Sequence, residues 1–200
     1  KSTMEIMEIN KFFGGKRIFI TGHTGFKGSW LTFFLDQIGS ITKGYSLKPK
    51  THPSLYSSLS FSENHESVIS DIRDGVKLYK EIKSFQPDFI FHLAAQPLVR
   101  ESYQSPLDTW NTNVMGTAHI LDVARGCESL KGVVVVTSDK CYENKELTRS
   151  YKENDQIGGS DPYSASKACA EIVGKSFAHV LEKDEILNLY VSGRAGNVFG

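Results

Sequence analysis

Three chemically different polar side chains stand in succession where an apolar segment ends. The segment T-S-D-K-C-Y at 137–142 follows the apolar run Val133–Val136. One polar residue would suffice to end a strand, whereas Ser138, Asp139 and Lys140 together supply a hydroxyl, an acid and a possible base. The alternative is a polar loop after a strand, with its tyrosine packed on the core. The succession of three unlike groups favours a site.

A second pair of side chains has the spacing of a catalytic couple. Tyr163 and Lys167 are four residues apart in a predicted helix, which puts the phenol and the ammonium on one face, one turn apart. A nearby positive charge favours tyrosinate, so a group with a reference pKa near 10 becomes a base closer to neutrality. Many helices carry such a pair by chance, so it indicates a catalytic site only in combination with other motifs of the chain.

A glycine-rich turn supplies that support. The residues G-H-T-G-F-K-G at 22–28 follow a β-rich run and precede a helical pattern. Between a strand and a helix, such a turn lets the backbone approach a pyrophosphate, and the helix N-terminus offers N–H groups and the positive end of its dipole. The placement favours dinucleotide binding over a tight turn of some other α/β fold.

The elements around these residues alternate between strand and helix. Strands are predicted at 16–21, 41–47, 68–70, 89–93, 133–136 and 186–191, and helices at 29–38, 76–85, 107–124 and 162–181. Gly44 weakens the second strand, and Asp161 caps the last helix. Such alternation predicts a Rossmann-like, doubly wound parallel sheet with helices on both faces. We expect an N-terminal tail at 1–11 and one NAD(P)-binding domain at 12–200.

The identity of the dinucleotide is less certain than its class. NAD-binding folds carry an acidic residue about 20 positions after the glycines, which holds the ribose 2′-hydroxyl. Here the second strand ends Y-S-L-K at 45–48, where Ser46 and Lys48 are able to meet a 2′-phosphate instead. NAD is expected and NADP is not excluded.

Composition excludes several other classes. Lys plus Arg and Asp plus Glu both number 23, so the net charge of zero gives no footprint for nucleic acid or an anionic membrane. No apolar stretch approaches the roughly 20 residues of a membrane span. Cys127, Cys141 and Cys169 form no CxxC pair and the histidines are scattered, so no metal is expected and reduced, cytoplasmic thiols are the plain interpretation.

The motifs together resemble a known superfamily. They are T-G-H-T-G-F-K-G (21–28), D-I-R-D (71–74), F-H-L-A-A-Q (91–96), T-N-V-M-G-T (112–117) and Y-S-A-S-K (163–167). The chain is similar in them to the extended short-chain dehydrogenase/reductases that act on nucleotide sugars. Within that superfamily, T-S-D-K-C-Y-E-N (137–144) and R-A-G-N-V-F-G (194–200) resemble the 4,6-dehydratases, where Lys140 favours a CDP-sugar over dTDP- and GDP-sugars.

The resemblance implies a role for each matching residue. The cofactor-binding residues would be Gly22, Thr24, Gly25, Phe26, Lys27, Gly28, Asp71, Ile72, Leu93, Ala94, Ala95, Gln96, Tyr163 and Lys167. The catalytic residues would be Ser138, Asp139, Lys140, Tyr163 and Lys167, and the substrate-binding residues Ser138, Arg194 and Asn197. His92 and Asn113 are expected to support structure rather than touch a ligand, and Cys141 to be a small core residue.

The reaction implied is conversion of CDP-glucose to its 4-keto-6-deoxy product with a recycled cofactor. Tyrosinate would take the C4 hydroxyl proton, Ser138 would hydrogen-bond the 4-oxygen, and Asp139 would protonate the departing C6 hydroxyl, for which its pKa must be raised. Lys140 would remove the C5 proton if burial and cationic neighbours kept it neutral. Alternatively it stays charged and stabilises the enolate.

The remaining expectations concern the whole protein. The family continues beyond Gly200, so a C-terminal substrate-binding region is expected to be missing. The family usually forms homodimers through helices that correspond to 104–125 and 162–181, and the keto sugar would serve lipopolysaccharide O-antigen synthesis. A related 4-epimerase or reductase, and a non-catalytic dinucleotide sensor, remain as alternatives.

Overall fold

A parallel six-stranded sheet with helices on both faces forms the core of the protein. The computed structural model describes residues 2–146, 148–183 and 190–198. The strands are β1 (Arg17–Thr21), β2 (Ile41–Ser46), β3 (His65–Ile69), β4 (Phe89–His92), β5 (Gly132–Ser138) and β6 (Tyr190–Ala195). Their order in the sheet is β3-β2-β1-β4-β5-β6, all parallel. The predicted fold class is confirmed.

Eight α-helices and two short helical segments connect and cover these strands within the described residues. The α-helices are α1 (Ser2–Phe13), α2 (Phe26–Gln37), α3 (Leu55–Ser58), α4 (Gly75–Phe85), α5 (Val99–Gln104), α6 (Pro106–Trp110), α7 (Gly116–Arg125) and α8 (Pro162–Lys183). A π-helical segment at Asn111–Met115 joins α6 to α7, and a 3₁₀ turn at Asp139–Cys141 follows β5. Most of the predicted N-terminal tail is therefore helix α1.

Two apolar clusters, one on each face, explain why the sheet is doubly wound. Side chains alternate across a strand, so Phe19 of β1 packs into the cluster that α4 and α7 cover, while its neighbours Ile18 and Ile20 pack into the other. Leu35 of α2 closes that second cluster. Phe13 of α1 also packs against it, which fixes the N-terminal helix to the sheet.

Several predicted boundaries differ from the structure. β5 does not end at Val136 but continues through Ser138, because Thr137 and Ser138 pair with the last two residues of β6. β3 starts at His65, earlier than predicted. The final strand runs to Ala195 instead of ending at 191, and the first part of its predicted range, 186–189, lies outside the described residues.

Gly44 does not interrupt β2, although a glycine was expected to weaken this strand. A Cβ atom at this position would lie 2.3 Å from the ring of His23, which comes from the glycine turn after β1. The His23 ring is fully buried, and its Nε2 atom is hydrogen-bonded to Ser67 Oγ at 2.7 Å. The glycine in β2 therefore provides room for the side chain that anchors the neighbouring turn.

Candidate active site

The glycine turn lies at the point where the strand order reverses, between the carboxyl ends of β1 and β4. Gly22 has φ +75°, a conformation that L side chains rarely adopt, and a Cβ atom there would lie 2.7 Å from Ala94 N. A Cβ atom on Gly28 would lie 2.1 Å from Gly22 O. Glycine at both positions lets the turn fold against the start of α2 and against the loop after β4.

The N-terminus of α2 is suited to a phosphate group. Its N-cap is Gly25, whose lack of a side chain leaves the first N–H groups without a capping bond, and the first turn carries no acidic residue. Lys27 in that turn adds a positive charge that acts on Lys167. Open N–H donors, the helix dipole and a lysine together fit the pyrophosphate of a dinucleotide.

The end of β2, where an NAD-binding fold carries its acidic residue, is held by hydroxyl groups. Thr24 Oγ1 donates to Leu47 O at 2.7 Å and is 2.8 Å from Ser46 Oγ, so the serine donates in this pair. Asp71, the predicted adenine contact after β3, forms a 2.6 Å ion pair with Arg73. That guanidinium lowers the pKa of Asp71, although burial opposes the shift.

A chain of hydrogen bonds connects this region to the loop after β4. Thr21 Oγ1 accepts from the backbone N–H groups of Leu93 and Ala94, both at 3.1 Å, and lies 2.7 Å from His92 Nδ1. The Thr21 hydroxyl therefore donates to Nδ1, so His92 Nε2 carries the proton toward Thr117 Oγ1 at 3.1 Å. Burial, aided by the charge of Lys167, lowers the pKa of His92 to about 3. The predicted supporting role of His92 is confirmed.

Asn113 continues this chain toward the catalytic helix. Its Oδ1 atom accepts from Gln96 N at 2.8 Å, and its Nδ2 atom donates to Gln96 O at 3.1 Å and to Ser166 Oγ at 2.8 Å. Ser166 in turn donates to Tyr163 O. Asn113 bridges secondary structure, as predicted. The π-helical segment that carries it was not predicted. Such segments often mark functional sites.

The end of β5 presents the first group of predicted catalytic residues. Ser138 is buried and caps the 3₁₀ turn by accepting from Lys140 N at 3.2 Å, while its hydroxyl donates to Asp139 Oδ1 at 3.1 Å. Asp139 and Lys140 are both exposed. The structure thus brings Ser138 and Asp139 together, but the described residues do not provide the burial that a neutral Lys140 requires.

Helix α8 presents the second group. Asp161 accepts from Ser164 N at 2.9 Å, which confirms the predicted cap and fixes the first turn beside Ser138. Lys167 is buried, and this burial together with the charge of Lys27 lowers the pKa of its ammonium to about 8. The lowered pKa follows from the burial of the Lys167 ammonium.

The pKa of Tyr163 is not lowered in the chain by itself, so its activation by Lys167 stays a prediction. Burial raises the pKa of Tyr163, and the charges of Asp139 and Asp161 raise it further. Among these groups, only the Ser138 side chain acts in the opposite direction.

The two predicted substrate residues after β6 differ in their surroundings. Arg194 donates to Glu171 Oε2 at 3.0 Å and to Glu153 O at 2.8 Å, and its guanidinium lies 4.8 Å from the ring centre of Tyr142. Its donors are thus directed at protein groups. Asn197 is exposed beyond the end of the strand.

Cys141, which lies next to the predicted catalytic residues, is a core residue. Cys141 is fully buried, and burial raises the pKa of its thiol to about 11, which agrees with the predicted core role. Within the described ranges, no three His, Cys, Asp or Glu side chains are grouped so as to hold a metal ion. No helix among the described residues is long and apolar enough to cross a bilayer.

Comparison with known proteins decides the family. The family model described as GDP-mannose 4,6 dehydratase matches residues 19–189. The chain belongs to this family. It is 49% identical over 193 residues to CDP-glucose 4,6-dehydratase of Salmonella typhimurium and 31% identical over 166 residues to a probable dTDP-glucose 4,6-dehydratase of Sinorhizobium fredii. These matches cover 94% and 78% of this chain, which spans 54% and 47% of the two relatives.

Solved structures agree with the family and its fold. An epimerase from Methanothermobacter thermautotrophicus superposes with a TM-score of 0.86 at 27% identity, covering 100% of this chain and 57% of its own. UDP-glucose 4-epimerase from Brucella ovis, in complex with NAD, gives 0.76 at 25% identity, with 91% and 52% covered. The resemblance to nucleotide-sugar enzymes predicted from the motifs is confirmed.

Proposed function

We propose that the protein to which this chain belongs converts CDP-glucose to CDP-4-keto-6-deoxyglucose and water, with NAD as a recycled cofactor. The observation that carries the proposal is the meeting of two elements. Ser138 at the end of β5 acts on the phenol of Tyr163 on α8, whose pKa its side chain works to lower, and Asp139 and Lys140 follow Ser138 directly. The 49% identity to a CDP-glucose 4,6-dehydratase supports the choice of reaction and of nucleotide.

The residues that would hold NAD are those around the turn after β1. The N–H groups at the start of α2 and Lys27 would bind the pyrophosphate, and the loop from Leu93 to Gln96 would line the cofactor. Asp71 and Ile72, after β3, would meet the adenine. When bound, the cofactor supplies a hydride acceptor and donor with a positive charge in its oxidised form. Hydroxyls of Thr24 and Ser46 in place of a carboxylate leave NADP as the alternative.

The chain's own groups would carry the proton transfers. Tyr163 removes the proton of the C4 hydroxyl, which Ser138 orients, while C4 is oxidised to a ketone. The ketone acidifies the C5 proton. Removal of that proton, by water or another residue where Lys140 stays charged, expels the C6 hydroxyl, which Asp139 protonates to water. The bound cofactor would supply the hydride for C6 and C5 would regain a proton, so the cycle would be redox-neutral. Asp139 is exposed beside Ser138 and is therefore accessible to a sugar bound there.

Lys140 fits the charged role better than the basic one. Its side chain is exposed in the described structure, so the desolvation that would keep an amine neutral is not provided by these residues. A charged Lys140 would stabilise the enolate that forms when C5 loses its proton. Lys140 is therefore assigned the charged role, in place of the base.

Product analysis of the full-length protein tests the function. We expect CDP-glucose, in comparison with dTDP-glucose and GDP-mannose, to lose one water and give a 4-keto sugar without net NADH formation. A product of unchanged mass with inverted C4 would show a 4-epimerase instead. Unchanged sugar with NAD bound would show a dinucleotide sensor. The cytoplasmic location, the homodimer and the role in O-antigen synthesis stay predictions.

A further inference from the structure

A buried carboxylate on α8 takes no part in the chemistry above. Glu171 is 1% exposed and accepts three side-chain hydrogen bonds. They come from Thr137 Oγ1 at 2.5 Å, Ser192 Oγ at 3.0 Å and Arg194 Nη2 at 3.0 Å. A single side chain thus connects the catalytic helix to β5 and to β6, at the ends where the site lies.

The position of this carboxylate along the helix relates it to the predicted catalytic pair. Tyr163, Lys167 and Glu171 follow one another at intervals of four, so they lie along one side of α8. Thr137 immediately precedes Ser138 in β5. The bond from Thr137 to Glu171 therefore fixes the register between the strand that carries Ser138 and the helix that carries Tyr163.

The ion pair with Arg194 makes this connection rigid. Both side chains are largely removed from solvent, with exposed fractions of 0% for the glutamate and 11% for the arginine. Burial by itself would raise the pKa of Glu171, but the bonds from Arg194 and Thr137 outweigh it and hold the pKa below its ordinary value. Glu171 is therefore an ionised acceptor, and a hydrogen bond to a charged group is stronger than a neutral one.

We propose that Glu171 is a positioning residue, which through Thr137 holds Ser138 in place beside Tyr163. This inference rests on the proposed function. It assigns no contact with substrate or cofactor to Glu171. The Ser138 side chain acts to lower the pKa of Tyr163. It does so only while strand and helix keep their register, so loosening the connection makes Tyr163 a poorer base.

The three partners of Glu171 allow a matched set of variants. Thr137→Val keeps the side-chain shape but removes the bond next to Ser138, and Thr137→Ser restores the hydroxyl. Ser192→Ala also removes one hydrogen bond from Glu171, but at β6, away from Ser138. All three variants retain the Glu171–Arg194 ion pair and leave Asp139 and Asp161, whose charges act on Tyr163, unchanged.

Kinetics of the full-length protein give the first test. Loss of one hydrogen bond to a charged acceptor should lower kcat of Thr137→Val about tenfold, with KM for CDP-glucose unchanged. The rising limb of its pH–rate profile should move to higher pH, because ionised Tyr163 is the active form. Thr137→Ser should restore both quantities, and Ser192→Ala should leave the limb in place. Equal effects of Thr137→Val and Ser192→Ala would overturn the inference.

A second readout does not depend on turnover. The ionisation of Tyr163 is followed in the NAD-bound protein by ultraviolet titration, as the difference between each variant and the same variant with Tyr163→Phe. Thr137→Val should shift this titration upward and Thr137→Ser should not. An unshifted titration in Thr137→Val would overturn the positioning role. Failure of the proposed function would appear only in the product assay and would leave this titration interpretable.

Discussion

The two ends of the candidate active site are held in place in different ways, one by the backbone and the other by side chains. At the nucleotide end, around Gly22 and Gly28, the geometry is made by backbone: a positive φ and two approaches that leave no room for a Cβ atom. At the catalytic end, Ser138 and Tyr163 are placed by side chains that bond across long intervals of sequence, with Glu171 and Asn113 as the centres. The chain from Thr21 through His92 to Thr117 joins the two.

This difference determines how each end should respond to substitutions. A backbone site tolerates no added atom, so substitutions there should act on the fold and on dinucleotide affinity together. A side-chain network tolerates shape-preserving substitutions, so changes there should separate catalysis from stability.

Tyr163→Phe should separate catalysis from folding most completely. Loss of a general base lowers kcat by about a thousandfold, whereas the phenyl ring fills the same space in the helix. Steady-state kinetics, thermal unfolding and NAD titration of the full-length protein measure the three quantities. A matching loss of stability or of NAD affinity would contradict the separation.

Gly22→Ala should damage the nucleotide end through the backbone. The positive φ and the 2.7 Å approach to Ala94 N together should cost about 3 kcal/mol of unfolding free energy. Gly39→Ala is the matched control, because Gly39 has φ +79° with nothing within 4 Å of an added Cβ. It should cost only about 1 kcal/mol. Equal urea-unfolding midpoints for the two variants would show that the approach does not matter.

Lys140→Gln tests the two roles of the ammonium. If Lys140 stabilises charge, the variant should exchange the C5 proton with deuterated solvent about a hundredfold more slowly, with little change in pH dependence. If Lys140 is instead the base, the exchange in the wild type should rise with pH as Lys140 loses its proton, and this rise should be absent from the variant. Lys145→Gln, in the exposed loop that follows, is a control for loss of one positive charge.

Lys167→Met should stabilise the protein while it inactivates the enzyme. The pKa of Lys167 is lowered to about 8, so the buried ammonium costs about 3 kcal/mol at neutral pH, which the apolar side chain recovers. The unfolded state binds more protons between pH 8 and 10.5, hence wild-type stability rises across that window. The advantage of the variant in urea unfolding should therefore shrink there. A constant advantage would show that charge is not its cause.

Local sequence signals predicted the turn between β1 and α2 well. The spacing of Gly22, Gly25 and Gly28 between a strand and a helix was sufficient, because a turn of this kind depends on neighbours in sequence. Gly44 was misjudged as a weak point, since its reason is the ring of His23 from another element. The alternation of strands and helices gave the sheet and its two covered faces.

At the end of β5 and the start of α8, the side chains that support the predicted catalytic residues were missed. Glu171 was missed because its partners lie 34, 21 and 23 residues away, on other elements. The available signal was a glutamate one turn after Lys167 on the same side of the helix. Likewise, pairing with β6 extends β5 through Ser138, which the run of valines alone did not indicate.

The place of β6 in the sheet has a consequence for how the protein folds. Within the described residues β6 has one neighbour, β5, and it brings both Ser192 and Arg194 to Glu171. Until it docks, the carboxylate faces the interior without its cation, which costs several kcal/mol. Docking of α8 and pairing of β6 should therefore form one cooperative step, late in folding. A chain arrested before that step would have the glycine turn after β1 in place, but not the hydrogen bonds that join Glu171 to β5 and β6.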